Sequence, residues 1–242
     1  VSCHNLDICV YLETEITMMD FTAELDFKSR LGIGKTCLIA GVDEAGRGAL
    51  AGPVVAAAVV FLDYSKANDL LSEINDSKKL TPAKRERLYE DMRADDNVMT
   101  GVGIIDNDMI DKVNILNATF KAMVAAVADL PKSPCGVIID GNKTPPALSV
   151  PAVAVVKGDA KIMSVAAASI IAKVTRDRIM TDLARRYPVY EWDVNKGYGT
   201  KKHYDVLEKH GPCPYHRRSF RLNRQSSLLK DQCRPLFPNL SL

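Results

Sequence analysis

Two apolar runs split by a glycine-rich turn constrain this chain most. Cys37-Leu38-Ile39-Ala40-Gly41-Val42 reads as a strand, and Val54 to Phe61 is a longer run rich in Val and Ala. Between them lies Gly46-Arg47-Gly48-Ala49-Leu50-Ala51-Gly52-Pro53, as in a hairpin with a wide connection. Further strands are expected over Val98–Ile105, over Val137-Ile138-Ile139 ending at Asp140, and over Ala152–Val156. Thr81 as N-cap and Pro82 at the first helical position open a helix to about Arg93. Ile110, Val113, Leu116, Phe120, Met123, Val124 and Val127 recur at helical spacing, predicting one helix from Asp108 to Leu130, ended by Pro131. A long helix is expected from Lys161 to Arg186, its Ala166-Ala167-Ala168 centre permitting close backbone packing. A short one runs from Thr200 to Lys209, closed by Gly211-Pro212. Strands joined early without long crossovers, then alternating with helices, predict an α/β domain on a mixed sheet.

With 242 residues, 47% of them hydrophobic, the chain suits one substantial core better than two. No stretch approaches the roughly eighteen uninterrupted apolar residues of a membrane span, and the start lacks the basic-then-apolar pattern of a secretory signal. A cytosolic protein with no membrane partner is expected. The six cysteines form no CxxC pair, so neither a disulfide framework nor a zinc knuckle is encoded. His203, His210, Cys213 and His216 are all zinc-ligand types, but their spacing matches no usual zinc pattern. Charge is uneven: from Lys196 onward ten Lys or Arg stand against three acids, including the run His216-Arg217-Arg218-Ser219-Phe220-Arg221. Such a segment is either a phosphate-contact surface or a solvated tail.

Acids at strand ends carry the chemistry. A carboxylate beside apolar strand residues is expensive to desolvate without a compensating cation. Asp43 follows the first strand, with Glu44 next to it; Asp140 ends the fourth strand, and Asp159 precedes the long helix. In an open α/β sheet, strand ends and helix starts converge on one edge, so these four could meet there. Four carboxylates without Cys or His suit Mg²⁺ or Mn²⁺ rather than zinc. The chemistry that follows is phosphodiester hydrolysis with two ions about 3.5–4 Å apart. Adjacent side chains on a regular strand point to opposite faces, so the strand must end or twist at Asp43–Glu44, or Glu44 must contribute partly through its carbonyl.

Motifs around the acids narrow the reading. In order along the chain they are Gly41-Val42-Asp43-Glu44-Ala45-Gly46-Arg47-Gly48, Asp76-Ser77-Lys78-Lys79-Leu80, Ile139-Asp140-Gly141-Asn142, Lys157-Gly158-Asp159, the stretch from Ala168 to Asp177, Gly197-Tyr198-Gly199-Thr200 and His216-Arg217-Arg218-Ser219-Phe220. From about Leu38 to Phe220 the chain resembles ribonuclease HII. The resemblance implies a ribonuclease H-like mixed five-stranded sheet flanked by helices, with a small C-terminal helical extension. It implies that Asp43, Glu44, Asp140 and Asp159 are catalytic and bind two Mg²⁺ or Mn²⁺ ions. The expected partners are RNA–DNA hybrid duplex and DNA containing ribonucleotides, cut 5′ of a ribonucleotide to leave 3′-hydroxyl and 5′-phosphate ends. It also implies that Gly46, Arg47 and Gly48 sense the ribose 2′-hydroxyl and that Tyr198 stacks on the neighbouring deoxyribose. These assignments suit a hydroxyl that is both donor and acceptor, approached by backbone that glycine leaves bare.

Ser77, Lys78 and Lys79 have the donor types for backbone phosphates; Lys173 and Arg176, one turn apart, and the Arg217-Arg218 pair are expected on phosphate as well. The organisation expected is a leader over 1–36, loosely attached and of unassigned role, a catalytic domain over 37–190 and a basic helical extension over 191–242, working as a monomer. The nearest competing reading is a ribonuclease HIII-like hybrid nuclease, against which Arg47 speaks. A second is a non-catalytic nucleic-acid-binding module, which would be expected to have lost one of the four acids.

Overall fold

The run Val54–Phe61 is buried along its whole length, as the centre of a sheet must be. In the computed structural model, which describes residues 20–34, 36–67, 73–74 and 80–223, this strand (β2) lies between β1 (Ile39–Ala45) and β3 (Val98–Ile105). The strand order is β3-β2-β1-β4-β5, with β4 at Gly136–Asp140 and β5 at Ala152–Val155. β1 pairs antiparallel with β2 and β2 with β3, whereas β4 runs parallel to both β1 and β5. The sheet is therefore mixed, as the sequence predicts.

Helices cover both faces. An N-terminal helix, α1 (Thr22–Arg30), precedes the sheet, and α2 (Pro82–Ala94) begins where Thr81 caps it by accepting from the Lys84 amide. The long helix α5 (Met163–Arg186) crosses β1 and β2 so closely that a Cβ on Gly41 would sit 2.2 Å from the Ser164 carbonyl carbon. On the opposite face Gly103 plays the same part, its missing Cβ lying 2.0 Å from the Ala122 carbonyl oxygen of helix α4 (Ile115–Ala128). A last helix, α6 (Lys201–His210), is capped by Thr200 and ends at Gly211 in the left-handed region (φ 72°). It packs with the turns from Pro188 to Asn195 into a separate apolar layer around Trp192, Leu207 and Met180. Among the described residues no helix is long and apolar enough to cross a membrane.

Two features depart from the expected elements. The single helix expected over Asp108–Leu130 is two: α3 (Asn107–Val113) and α4 meet at Asn114, whose φ of 67° breaks the helix and whose side chain caps the second by accepting from the Asn117 amide. With ψ at 164° the residue lies outside the left-handed helical well, so the cap bond offsets a strained backbone, and the apolar spacing runs on through the break. The leader region supplies α1, for which no element was expected. Phe21 stacks on Tyr64 at 4.1 Å, and Glu24, fully buried, accepts from both the amide (3.0 Å) and the hydroxyl (2.6 Å) of Ser164. The first turn of α5 has no cap of its own, so Glu24 supplies one from a distant element. Burial raises the Glu24 carboxyl above its ordinary range.

Glu24→Ala leaves the buried Ser164 amide without an acceptor, so we expect a loss of about 1–3 kcal/mol in unfolding free energy. Urea unfolding of the two proteins measures it. An unchanged midpoint and slope would mean that α1 does not cap α5.

Candidate active site

Parallel pairing of β1, β4 and β5 puts the carboxyl ends of all three strands on one edge. Asp43 and Glu44 lie near the end of β1, Asp140 closes β4, and Asp159 sits in a short 3₁₀ turn (Gly158–Ala160) after β5. The strand does not stop at Val42, where the apolar pattern ends. It continues to Ala45, with Asp43 opposite Ala57 and Glu44 opposite Ala56 on β2. Alternation then places Asp43 on the α5 face and Glu44 on the other. The chain turns at once after Ala45, at Gly46 (φ 93°), and Glu44 pairs across that turn with the Arg47 guanidinium at 3.0 Å.

The acids feel one another. Burial raises the Asp43 carboxyl well above its ordinary range, the Glu44 and Asp140 charges raise it further, and a bond from Ser169 on α5 partly offsets them. Burial also raises Glu44, against the pull of Arg47, and raises Asp140, to which the Asp159 charge adds. Asp140 accepts from the Gly158 amide at 2.7 Å, which ties the β4 end to the turn carrying Asp159. Ser169 and Gly158 were not singled out from sequence as site residues, and only their positions beside the acids mark them. Among the described residues no three His, Cys, Asp or Glu side chains close around a single point as a ready-made cation cage. The donor set nevertheless suits a hard cation. It is all oxygen, burial and neighbouring carboxylates raise Asp43, Glu44 and Asp140, and Glu44 Oε2 is buried without a hydrogen-bond partner.

Beside the acids, the Gly46–Pro53 turn is held from beneath. Arg176 donates to the carbonyls of Pro53 (2.9 Å), Lys196 (2.9 Å) and Ala51 (3.1 Å); Arg217 donates to those of Gly52 (3.0 Å), Arg47 (2.9 Å) and Pro53 (3.1 Å). Both side chains are fully buried. This corrects their expected placement on phosphate: their guanidinium donors face main-chain carbonyls inside the protein. A Cβ on Gly46 would lie 1.9 Å from Arg176 Nε, so the arginine beneath requires glycine there. Gly48 has open space instead, and Arg47 is exposed.

Tyr198 stands next to this turn. Its backbone bridges Ala49, the neighbouring Gly197 carbonyl accepts from the Leu50 amide at 2.8 Å, and its ring, 36% exposed, lies over the Arg176 guanidinium at 5.3 Å. Lys173 also flanks the ring, at 5.9 Å, with its ammonium paired to Asp177. Arg218 is exposed, while Ser77, Lys78 and Lys79 lie outside the described residues. Of the four zinc-ligand types near the C-terminus, His203 and His216 do meet, 3.1 Å apart, and both are buried; His210 is exposed.

Raised folded-state carboxyls fix a pH dependence. Between the ordinary carboxylate range and the higher folded values, the native protein holds more protons than the unfolded chain, so stability falls as pH rises through that window. In EDTA at pH 8, Asp43→Asn should therefore melt higher than the parent, by on the order of 3 °C. The gain should shrink as pH is lowered toward the ordinary carboxylate range. A lower melting temperature, or a gain independent of pH, would contradict the assigned repulsion.

The sequence profile described as Ribonuclease HII matches residues 40–223. Curated relatives named Ribonuclease HII include one from Chlorobium luteolum, 48% identical over 77% of this chain and 89% of its own length. Another, from an Acidovorax species, is 52% identical over 76% and 85%. The fold is similar to the crystal structure of ribonuclease H2 from Pyrococcus horikoshii, with TM-score 0.63 and 30% identity, covering 77% of this chain and 95% of that one. With most of its length matched by that profile and by relatives sharing about half their residues, the chain belongs to the ribonuclease HII family and is an endoribonuclease of the ribonuclease H type.

Proposed function

We propose that the protein hydrolyses the RNA strand of RNA–DNA hybrids and cuts 5′ of ribonucleotides embedded in duplex DNA, leaving 3′-hydroxyl and 5′-phosphate ends. One observation carries this reading: four carboxylates gathered at one sheet edge, next to a turn of bare backbone and an outward tyrosine ring. Asp43, Glu44, Asp140 and Asp159 would hold two divalent cations, Mg²⁺ or Mn²⁺. Such ions, when bound, supply an activated water and stabilise charge on the leaving oxygen.

The chain's own residues do the rest. Arg47 keeps one Glu44 oxygen occupied and leaves the other without a donor. The open space at Gly48 admits a ribose to the backbone, where a 2′-hydroxyl finds both donor and acceptor. Tyr198 offers its ring face to the next sugar, and a deoxyribose fits there without the crowding of a second 2′-hydroxyl. Arg47, Lys173 and Arg218 remain as outward cations for phosphate, joined by Ser77, Lys78 and Lys79 from the sequence motif.

The test is cleavage of duplex DNA containing one ribonucleotide, beside an all-DNA duplex and a long RNA–DNA hybrid, in Mg²⁺ and then Mn²⁺. Cleavage 5′ of the single ribonucleotide, with the all-DNA control intact, is the expected result. Asp140→Asn should nearly abolish turnover at saturating metal without unfolding the protein; near-parental turnover would remove the metal-ligand assignment. Tyr198→Ala should lower kcat/KM on the single ribonucleotide more than on the hybrid, by on the order of 1–3 kcal/mol. Equal losses on the two substrates would return Tyr198 to a purely structural role.

A further inference from the structure

Behind Tyr198 lies a buried pair of histidines to which the reaction assigns no part. His203 Nδ1 is 3.0 Å from the Tyr198 carbonyl oxygen, and its Nε2 is 3.1 Å from His216 Nε2. His216 Nδ1 in turn accepts from the Cys213 amide at 3.0 Å. These contacts fix both tautomers. A carbonyl only accepts, so His203 carries its proton on Nδ1 and presents a lone pair at Nε2; an amide N–H only donates, so His216 carries its proton on Nε2 and gives it to that lone pair. Burial lowers both imidazoles, His216 to about 4, so each is neutral near pH 7. Trp192 Nε1 also faces His203 Nε2 at 3.4 Å, and the Tyr190 ring meets His216 edge-on at 4.7 Å, leaving little freedom to reorient.

The pair closes a ring of contacts around the glycine-rich turn. Ala49 bridges Tyr198 on one side of that turn and Ala51 bridges His216 on the other. Leu50 donates to the Gly197 carbonyl at 2.8 Å and accepts from the Arg217 amide at 2.8 Å. The turn is thus clasped between residues 197–198 and 215–217, and the two imidazoles join those flanking segments directly.

We propose that His203 and His216 are positioning residues that act as a pair of opposite tautomers. By holding the Tyr198 backbone at a fixed offset from Gly46–Gly48, they set the preference for a ribonucleotide followed by a deoxyribonucleotide. The inference rests on the reading of Tyr198 given above. Neither imidazole touches substrate; each works through the tyrosine's main chain. The Thr200 amide also donates to the Tyr198 carbonyl, at 2.8 Å, so His203 Nδ1–H is the second of two donors that fix its direction. A side chain that fills the space but lacks that donor would leave the carbonyl on one bond and would blur the distinction between junction and continuous hybrid.

Three variants and one spectrum test it. His203→Phe should reduce the ratio of kcat/KM on a single embedded ribonucleotide to that on a long hybrid, on the order of ten-fold. His203→Asn, which keeps an N–H near the Nδ1 position, should recover much of that ratio. Tyr198→Ala is measured alongside. If it lowers the ratio while His203→Phe leaves it unchanged, the positioning role is wrong. If Tyr198→Ala leaves the ratio unchanged, the reading of Tyr198 fails and this inference falls with it. Should His203→Phe not fold, the parent protein still decides: imidazole ¹⁵N shifts near pH 7 should show His203 protonated on Nδ1 alone and His216 on Nε2 alone. Matching tautomers, or a charged ring, would overturn the proposal.

Discussion

Two guanidinium groups buried under the Gly46–Pro53 turn hold the site region to the rest of the molecule. Burying a charge costs several kcal/mol unless hydrogen bonds replace its water, and among the described residues no carboxylate pairs directly with either arginine, Asp177 and Asp111 acting on them only at a distance. The main chain does instead: the carbonyls of residues 47, 51, 52, 53 and 196 accept from Arg176 and Arg217. A wide connection between strands leaves such carbonyls without ladder partners, and buried ones need donors. Each side of the arrangement therefore meets the other's need. Arg176 comes from α5 and Arg217 from the C-terminal layer, so the turn cannot shift without breaking charge-assisted bonds to both.

The carboxylate edge rests on a different balance. Parallel strands gather Asp43, Glu44, Asp140 and Asp159 for topological reasons, and the result is electrostatically unfavourable by itself. Close packing of α5, made possible by Gly41 and the alanines at its centre, fixes β1 against a helix that also presents Ser169 to Asp43. The fold thus tolerates at one edge a repulsion that its core offsets, a common arrangement where a local rule is broken for chemistry.

Local features were legible in the sequence wherever short-range physics decides them. The apolar run of β2, the Thr81 cap and the Gly211 stop read directly, because caps and strand burial depend on neighbouring residues. The four acids could be placed on one edge from strand ends alone, although the strand was expected to stop before Glu44 and instead runs to Ala45. The break at Asn114 was hidden because the apolar spacing continues through it, and one residue's φ changes no periodicity. Glu24 could not be found at all: its partner, Ser164, is 140 residues away, and a lone glutamate on a short helix looks solvated.

The two adjacent arginines show where residue type misleads about role. Arg217 and Arg218 sit side by side in a basic run, and charge alone gives both the same role. In the structure Arg217 is fully buried and Arg218 is exposed. His216 and Arg217 are both fully buried where the segment bridges Ala51, and the chain then turns, the Phe220 amide donating to the Arg217 carbonyl at 3.0 Å, which carries Arg218 to the surface. Arg218 is fixed outward by its own backbone: its amide and that of Ser219 donate to the Asp111 carboxylate at 2.8 and 3.0 Å. A single turn thus separates a guanidinium that holds the glycine-rich connection from one exposed at the surface. Net positive charge in the tail therefore overstates the cationic surface available to a duplex.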